Sequence, residues 1–134
     1  MWKRDWNVNL LNLSCFKPIS VEKIINLTYI EEVAAGDREF IKEMIETFMR
    51  QVPEFVTHMQ EFYIERDYQN LAKEAHTAKS SVMLFGLDEL ARRLKAFQLL
   101  AEKGEHAETY PAYIREFEQV CLTAISQLEE ELDK

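Results

Sequence analysis

The chain of 134 residues is 47% hydrophobic, which suits one domain with a sizeable core and excludes a disordered tail. Its formal net charge of −8 at pH 7 argues against a nucleic-acid partner, because affinity for phosphate backbones depends on clustered cations. No apolar run approaches the roughly 20 residues that a membrane span needs, so we expect no membrane partner.

Residues 1–26 form a predicted N-terminal extension, and residues 27–134 form a predicted helical-bundle domain. The extension is too apolar for a simple tail, yet its apolar residues are poorly periodic. These residues are Trp2, Trp6, Leu10, Leu11, Leu13 and Phe16. Two roles remain open for it, a segment that packs over one end of the bundle and a docking arm, and we favour packing.

Two helices are predicted in the first half of the domain. Thr28 followed by Glu31 predicts a capping box that opens a short helix, which ends at Gly36. Asp37 is the predicted N-cap of a long second helix, and Pro53 predicts a kink within it, because proline removes a backbone donor. The apolar stripe of this second helix consists of Ile41, Met44, Phe48, Val52, Phe55, Met59 and Phe62.

Three more helices are predicted in the second half. The third spans roughly residues 67–85 and the fourth about residues 88–103, with Gly86 and Gly104 after their ends. The fifth begins near Thr109. Their apolar stripes are Leu71, Ala75, Ala78, Val82 and Phe85, then Leu90, Leu94, Phe97 and Ala101, then Tyr110, Ile114, Phe117, Cys121, Ala124, Leu128 and Leu132. Four long helices that are each apolar along one side predict an all-α, up-and-down antiparallel four-helix bundle with additional N-terminal helical segments.

One stretch of the third helix suggests chemistry rather than packing. His76 follows the stripe residue Ala75, so its ring should lie at the rim of the helix, with Lys79 and Ser80 on the same side. A neutral imidazole offers a nucleophilic nitrogen near neutral pH, and an ammonium group one turn away can offset arriving anionic charge. This pair is suited to accepting a phosphoryl group. A lone histidine on the surface of an amphipathic helix is the alternative.

The residues around His76 predict an uncrowded docking face. Its members are Ala72, Lys73, Ser80 and Met83, of which methionine is the adaptable apolar one. The distribution of charge also favours docking at this face. Residues 67–104 carry six basic and five acidic side chains (+1), whereas residues 105–134 carry two basic and eight acidic side chains (−6). The histidine region is therefore far less acidic than the C-terminal part and favours an acidic partner.

Gln98 of the fourth helix is predicted to lie beside His76. Gln98 lies 12 positions after Gly86, and His76 lies 10 positions before it. At a rise of about 1.5 Å per residue, their heights along the two helices differ by about 3 Å. An amide oxygen that accepts the Nδ1 hydrogen would leave Nε2 bare for attack. A merely polar residue at the rim of the bundle is the equally open alternative for Gln98.

The stretch that begins at His76 resembles the histidine-containing phosphotransfer (HPt) family. The family motif is a His, a Lys three residues later, small residues after the Lys, and a Gly seven residues beyond it. The matching residues are His76, Lys79, Ser80, Ser81 and Gly86. The resemblance covers about residues 26–120; Ala78 and Ser80 depart from the usual Leu or Ile and the frequent Gly, and Gln98 agrees with a frequent Glu or Gln.

The resemblance implies a phosphocarrier without kinase activity of its own. His76 would exchange a phosphoryl group with the aspartate of response-regulator receiver domains, Lys79 would stabilise its charge and Gln98 would orient the imidazole. The partners would be a receiver domain, a hybrid histidine kinase, or both. No cofactor and no metal are implied for this chain, since Mg²⁺ would belong to the receiver domain. A helical adaptor that binds signalling partners through the same face without carrying phosphate is the alternative.

Two features favour a cytoplasmic location. The polar first six residues lack the apolar block of a signal peptide. Cys15 and Cys121 lie far apart without metal-like spacing, so we expect reduced thiols in a reducing compartment.

Overall fold

The computed structural model describes residues 22–133, and within that range it contains helices and no strand. Five α-helices follow one another within residues 22–133: α1 (Thr28–Ala34), α2 (Arg38–Ile64), α3 (Tyr68–Met83), α4 (Asp88–Lys103) and α5 (Tyr110–Leu132). α2 packs against α3 and α5, and α4 packs against the same two helices, while α1 lies on α2. Short loops connect these neighbours, so the predicted up-and-down four-helix bundle with an additional N-terminal helix is confirmed.

The core of the bundle is built from the apolar stripes of α2–α5. Its largest fully buried side chains include Phe48, Phe85, Phe97, Tyr110 and Phe117. The predicted stripe of α2 was incomplete, because the structure also buries two β-branched residues that each directly follow a residue of the stripe. These are Ile45 and Val56. A helix that contacts two other helices buries a wider face than a single line of residues provides.

Aspartate side chains cap the N-termini of α2 and α3. The Asp37 carboxylate accepts a backbone hydrogen bond in the first turn of α2 (3.2 Å), as predicted, and Asp67 does the same for α3 (3.2 Å). The predicted capping box at Thr28 is wrong. Thr28 is the first residue of α1, and its N–H donates to the side chain of Asn26 (3.0 Å), so Leu27 occupies the cap position without a side-chain bond.

Two prolines of the described range lie within helices. Pro111 lies at the start of α5, where a backbone N–H has no partner inside the helix, so its missing donor costs little. Pro53 lies in the interior of α2, and the helix continues through it. The kink that was expected there stays a prediction.

Residues 22–27 lie against the bundle. Gln127 of α5, which is 8% exposed, accepts a hydrogen bond from the Ile24 N–H (2.8 Å) and donates Nε2 to the Glu22 carbonyl (2.7 Å). This side chain satisfies backbone groups that have no partner in a helix, and so ties the chain to α5. The other predicted part of the extension, residues 1–21, lies outside the described residues, and its role stays a prediction.

Candidate functional site

The imidazole of His76 lies on the exposed side of α3. Ala75 and Ala78 on either side of it are completely buried, which turns the intervening residues toward solvent. His76 and Ser80 are exposed, and Lys79 is half-buried. These positions agree with the rim placement expected from helical spacing.

His76 and Gln98 meet across the α3–α4 interface, as the helical rise predicts. The distance from His76 Nδ1 to Gln98 Oε1 is 3.3 Å. Gln98 is only 9% exposed, and its Nε2 donates to Glu102 Oε2 at 2.9 Å. An amide oxygen only accepts hydrogen bonds, so this contact is a hydrogen bond when Nδ1 carries the ring proton. Within residues 22–133, Nε2 of His76 makes no hydrogen bond.

Lys79 and Ser80 follow His76 on the same side of α3 but differ in their contacts. Lys79 forms no ion pair or hydrogen bond with any residue of the described range. The Ser80 hydroxyl donates to the His76 carbonyl at 3.4 Å. The hydroxyl is thus engaged with the helix backbone rather than with the imidazole.

The predicted docking face is smaller in the structure than in the sequence. Lys73 and Ser80 are exposed, and Met83 is 51% exposed. Ala72 belongs to the core with 3% exposure, so its assignment to this face is corrected. Its side chain ends at a single methyl group, which the close packing of α3 against neighbouring helices covers.

The C-terminal end of α3 is held from two sides. The Ser81 hydroxyl donates to Gln51 Oε1 of α2 at 3.2 Å. Beyond the helix, Gly86 has φ +74°, and a β-carbon there would lie 2.5 Å from the β-carbon of Asn26. Asn26 in turn donates its N–H to the Phe85 carbonyl at 2.9 Å. Only glycine provides both the left-handed backbone and the space for this contact.

The other two histidines lie apart from this cluster. His58 of α2 contacts Glu74 of α3 (Nδ1 to Oε2, 2.9 Å), and this hydrogen bond raises the pKa of the His58 ring above its ordinary value. His106 lies in the loop before α5. Neither shares a contact with His76 in the described part of the chain.

Two residues of this region were missed by the sequence analysis. Glu102 lies four residues after Gln98 on α4, and that spacing is a signal for a side-chain pair that was available from the sequence. Gln51 has no such signal, because the packing of α2 on α3 alone brings it to Ser81.

Several further findings describe the rest of the molecule. Among residues 22–133, no three His, Cys, Asp or Glu side chains lie together as metal ligands would. No helix in the same range is long and apolar enough to cross a membrane.

Cys121 is a buried free thiol, and burial raises its pKa to about 12. Cys15 lies outside the described residues.

The comparison with protein families gives one finding for this arrangement. The family model described as the Hpt domain matches residues 43–134, a stretch that contains most of α2 and all of α3, α4 and α5. The chain therefore belongs to the Hpt domain family. Hpt domains are phosphocarrier modules of two-component systems, where they interact with receiver domains and kinases. No curated protein and no solved structure among those compared with the chain matches it.

Proposed function

We propose that His76 is the phosphoacceptor of this Hpt domain and exchanges its phosphoryl group with the aspartate of a response-regulator receiver domain. The observation that carries the proposal is the exposed imidazole whose Nδ1 faces the Gln98 oxygen at 3.3 Å. A ring that donates through Nδ1 keeps a lone pair on Nε2. Nε2 is therefore the nucleophilic nitrogen.

The chemistry is an in-line phosphoryl transfer. The lone pair of His76 Nε2 attacks the phosphorus of the aspartyl phosphate, a P–N bond forms as the P–O bond to the aspartate breaks, and the aspartate leaves as a carboxylate. The transition state is loose, with charge on three equatorial oxygens. The ammonium group of Lys79, which has no ion pair within residues 22–133, lies one helical turn away and stabilises that charge. The reverse path returns the phosphoryl group to a receiver.

The partner docks on the exposed face of α3. Lys73, Ser80 and Met83 surround His76 with two polar side chains and one flexible apolar side chain. The net charge of +1 over residues 67–104, compared with −6 over residues 105–134, suits an acidic partner surface. Mg²⁺ belongs to the receiver domain in this proposal, and a hybrid histidine kinase is the second partner class. The proposed location is the cytoplasm, where such partners act.

The test is transfer from a receiver domain that carries labelled phosphate. We expect acid-labile label on the wild-type chain and none on His76→Gln. His58→Gln is the matched control, because it removes another exposed histidine from the adjacent helix and should keep full labelling. Acid-stable label would indicate a serine or threonine instead, and label retained in His76→Gln would reject the assignment.

The same experiment separates the alternative class of function. A chain that binds the receiver but takes up no label would act as a helical adaptor. In that outcome His76→Gln would leave receiver binding unchanged, and the phosphocarrier role of this chain would be rejected.

A further inference from the structure

We infer that Glu102 is a positioning residue, which orients the side-chain amide of Gln98 and thereby selects which ring nitrogen of His76 carries the proton. The inference rests on the proposed function of His76, and it adds a residue that lies outside the His–Lys–Gly motif. It is carried by a chain of three side chains, His76, Gln98 and Glu102, joined by distances of 3.3 and 2.9 Å.

The orientation of the amide follows from what each end can bind. A carboxylate only accepts hydrogen bonds, so Glu102 attracts the NH₂ group of Gln98 and repels its oxygen. Nε2 of Gln98 donates to Glu102 Oε2. The amide is planar, and its oxygen therefore points the other way, at Nδ1 of His76.

The protonation of the ring follows from the orientation of the amide. The neutral imidazole has one N–H, and the oxygen of Gln98 binds the ring only if that N–H is at Nδ1. Rotation of the amide by half a turn would present NH₂ to Nδ1 and move the ring proton to Nε2. The nitrogen that attacks phosphorus would then have no lone pair available.

The last turn of α4, which carries Glu102, is held by side chains from outside the helix. Gln69 of α3 donates Nε2 to the Glu102 carbonyl at 3.0 Å. The Tyr110 hydroxyl contacts the Leu100 carbonyl at 2.9 Å and the Glu105 carbonyl at 2.7 Å. These bonds fix the backbone from which Glu102 reaches Gln98, and the low exposure of Gln98 limits competition from water.

The experiment measures the tautomer of His76 directly, by nitrogen-15 NMR of the imidazole at alkaline pH, where the ring is neutral. The variant is Glu102→Gln, which keeps the shape but can donate as well as accept. Glu105→Gln is the matched control, because it removes the same charge beyond the same end of α4 without touching Gln98. We expect the Nε2–H population to rise in Glu102→Gln only, and transfer to His76 to slow roughly five- to tenfold.

A double variant shows whether the effect passes through Gln98. In the Gln98→Leu background, Glu102→Gln should change neither the tautomer nor the transfer rate further. An unchanged tautomer in Glu102→Gln, or an equal change in Glu105→Gln, would overturn the inference. Failure of the proposed function would look different, since the wild-type chain would then take no label while the tautomer readout still reports on Glu102.

A second inference comes from a different region, an apolar groove of about 590 Å³ between α4 and α5. Ile24, Leu87, Leu90 and Val120 contribute its apolar lining, and the ion pair between Arg93 and Glu116 (2.8 Å) is also part of its wall. We propose that residues 1–21 of the same chain occupy this groove.

The position of the groove favours this occupant. Ile24, three residues after the end of the segment, is itself part of the lining. An extended chain rises about 3.3 Å per residue, so residues 16–21 cover roughly 20 Å. The groove residues Glu116 and Thr123 are about 10 Å apart along α5. The apolar residues between Leu10 and Phe16 are therefore within reach, and Trp2 and Trp6, which lie farther from Ile24 along the chain, can reach the groove as well.

Composition and charge agree with the same occupant. Residues 1–21 hold the two tryptophans of the chain and several leucines, which suit an apolar groove. The segment carries three basic and one acidic side chain (+2). The groove is lined by one basic and three acidic side chains (−2). Opposite net charges at the two surfaces favour their association.

Tryptophan fluorescence of the full chain tests this proposal, because both tryptophans, Trp2 and Trp6, belong to the segment. Gln119→Lys and Val120→Lys place a charge in the groove, and Leu122→Lys places it on the same helix at a residue that does not line the groove. We expect a red shift of emission and stronger quenching by acrylamide in the two groove variants only. Position 119 is exposed, so Gln119→Lys keeps the test valid even if Val120→Lys destabilises the bundle.

Three results would overturn the groove proposal. Wild-type emission that already resembles a solvent-exposed tryptophan would show that the segment does not dock. An equal shift in Leu122→Lys would show that the effect is not specific to the groove. Emission that depends on protein concentration would assign the groove to a second copy of the chain.

Discussion

The α-carbon of Gly86 faces Asn26 so closely that a β-carbon on residue 86 would lie 2.5 Å from the Asn26 β-carbon and 2.7 Å from its carbonyl oxygen. This contact joins the end of the site helix to the segment that precedes α1. It explains in steric terms why the motif residue that follows the helix is glycine, since the position also has φ +74°.

Gly86→Ala should therefore destabilise the bundle by about 2–4 kcal/mol, through backbone strain and through the clash with Asn26. Gly36→Ala is the matched control. It has a similar φ of +84° but nothing within 4 Å of a β-carbon, so strain alone should cost about 1 kcal/mol. Urea unfolding measures both, and equal losses would show that the contact with Asn26 contributes nothing.

Tyr110→Phe should lower the free energy of unfolding by about 1–3 kcal/mol, because it leaves the buried hydroxyl site without a donor for the Glu105 carbonyl. The Leu100 carbonyl keeps the backbone N–H groups of Gly104 and Glu105. Tyr110 is fully buried. Tyr113→Phe is the control, since its hydroxyl makes no hydrogen bond within residues 22–133. Urea unfolding of the two variants should therefore differ, and a loss no larger than that of the control would contradict the role of the hydroxyl.

Lys79→Ala should slow transfer from a phosphorylated receiver by about tenfold, because it removes the cation next to the developing charge. Lys79→Arg should keep most of the rate. The free energy of unfolding should change by less than about 0.5 kcal/mol, since Lys79 has no ion pair in the described range. Rapid-quench measurement of labelled phosphate gives the rates, with Lys95→Ala on α4 as control. An unchanged rate in Lys79→Ala would remove its electrostatic role.

The contact between His58 and Glu74 should make stability depend weakly on pH. Because the hydrogen bond with Glu74 raises the pKa of His58 above 6.5, its stabilisation is complete below pH 6.5. It is lost as pH rises through the folded-state pKa. The effect should be about 0.5 kcal/mol or less, because His58 is 49% exposed in its side chain.

An NMR titration of His58 checks this prediction. Glu74→Gln should return the pKa of His58 toward its ordinary value. Glu54→Gln should have a smaller effect, because Glu54 acts only through charge and without a hydrogen bond. Equal shifts in the two variants would show that the hydrogen bond is not the main cause.

Local sequence signals predicted the helices and most of their ends. The fourth helix was predicted for residues 88–103, and α4 has those bounds, with Gly104 at φ +66° after it. The Asp37 cap was also correct. The capping box at Thr28 failed because Asn26, two residues earlier, provides the hydrogen bond. Which of the two polar side chains, Asn26 or Thr28, binds the N-terminus of α1 depends on the path of the backbone. The hydrogen bond from the Asn26 N–H to the Phe85 carbonyl determines that path.

The sequence also predicted the candidate site only in part. His76, Lys79 and Gln98 were proposed from a motif and from the rise of two neighbouring helices, both of which are properties of the chain itself. The structure brings His76 and Gln98 to 3.3 Å, and their roles in transfer stay a prediction. Ala72 was misplaced, because its exposure depends on how closely neighbouring helices approach a single methyl group. Glu102 was overlooked, although its spacing from Gln98 was visible.

The amino-acid sequence alone determined an all-helical bundle, an exposed histidine with a lysine one turn later, and the glycine that ends their helix. Those features follow from helical periodicity and backbone sterics, which act over a few residues. Only the tertiary structure decided which groups Gln51 and Gln127 bind, because folding brings Ser81 and the backbone of residues 22–24 within about 3 Å of them. Hydrogen bonds of that length require an exact relation between helices, and a one-dimensional pattern does not contain it.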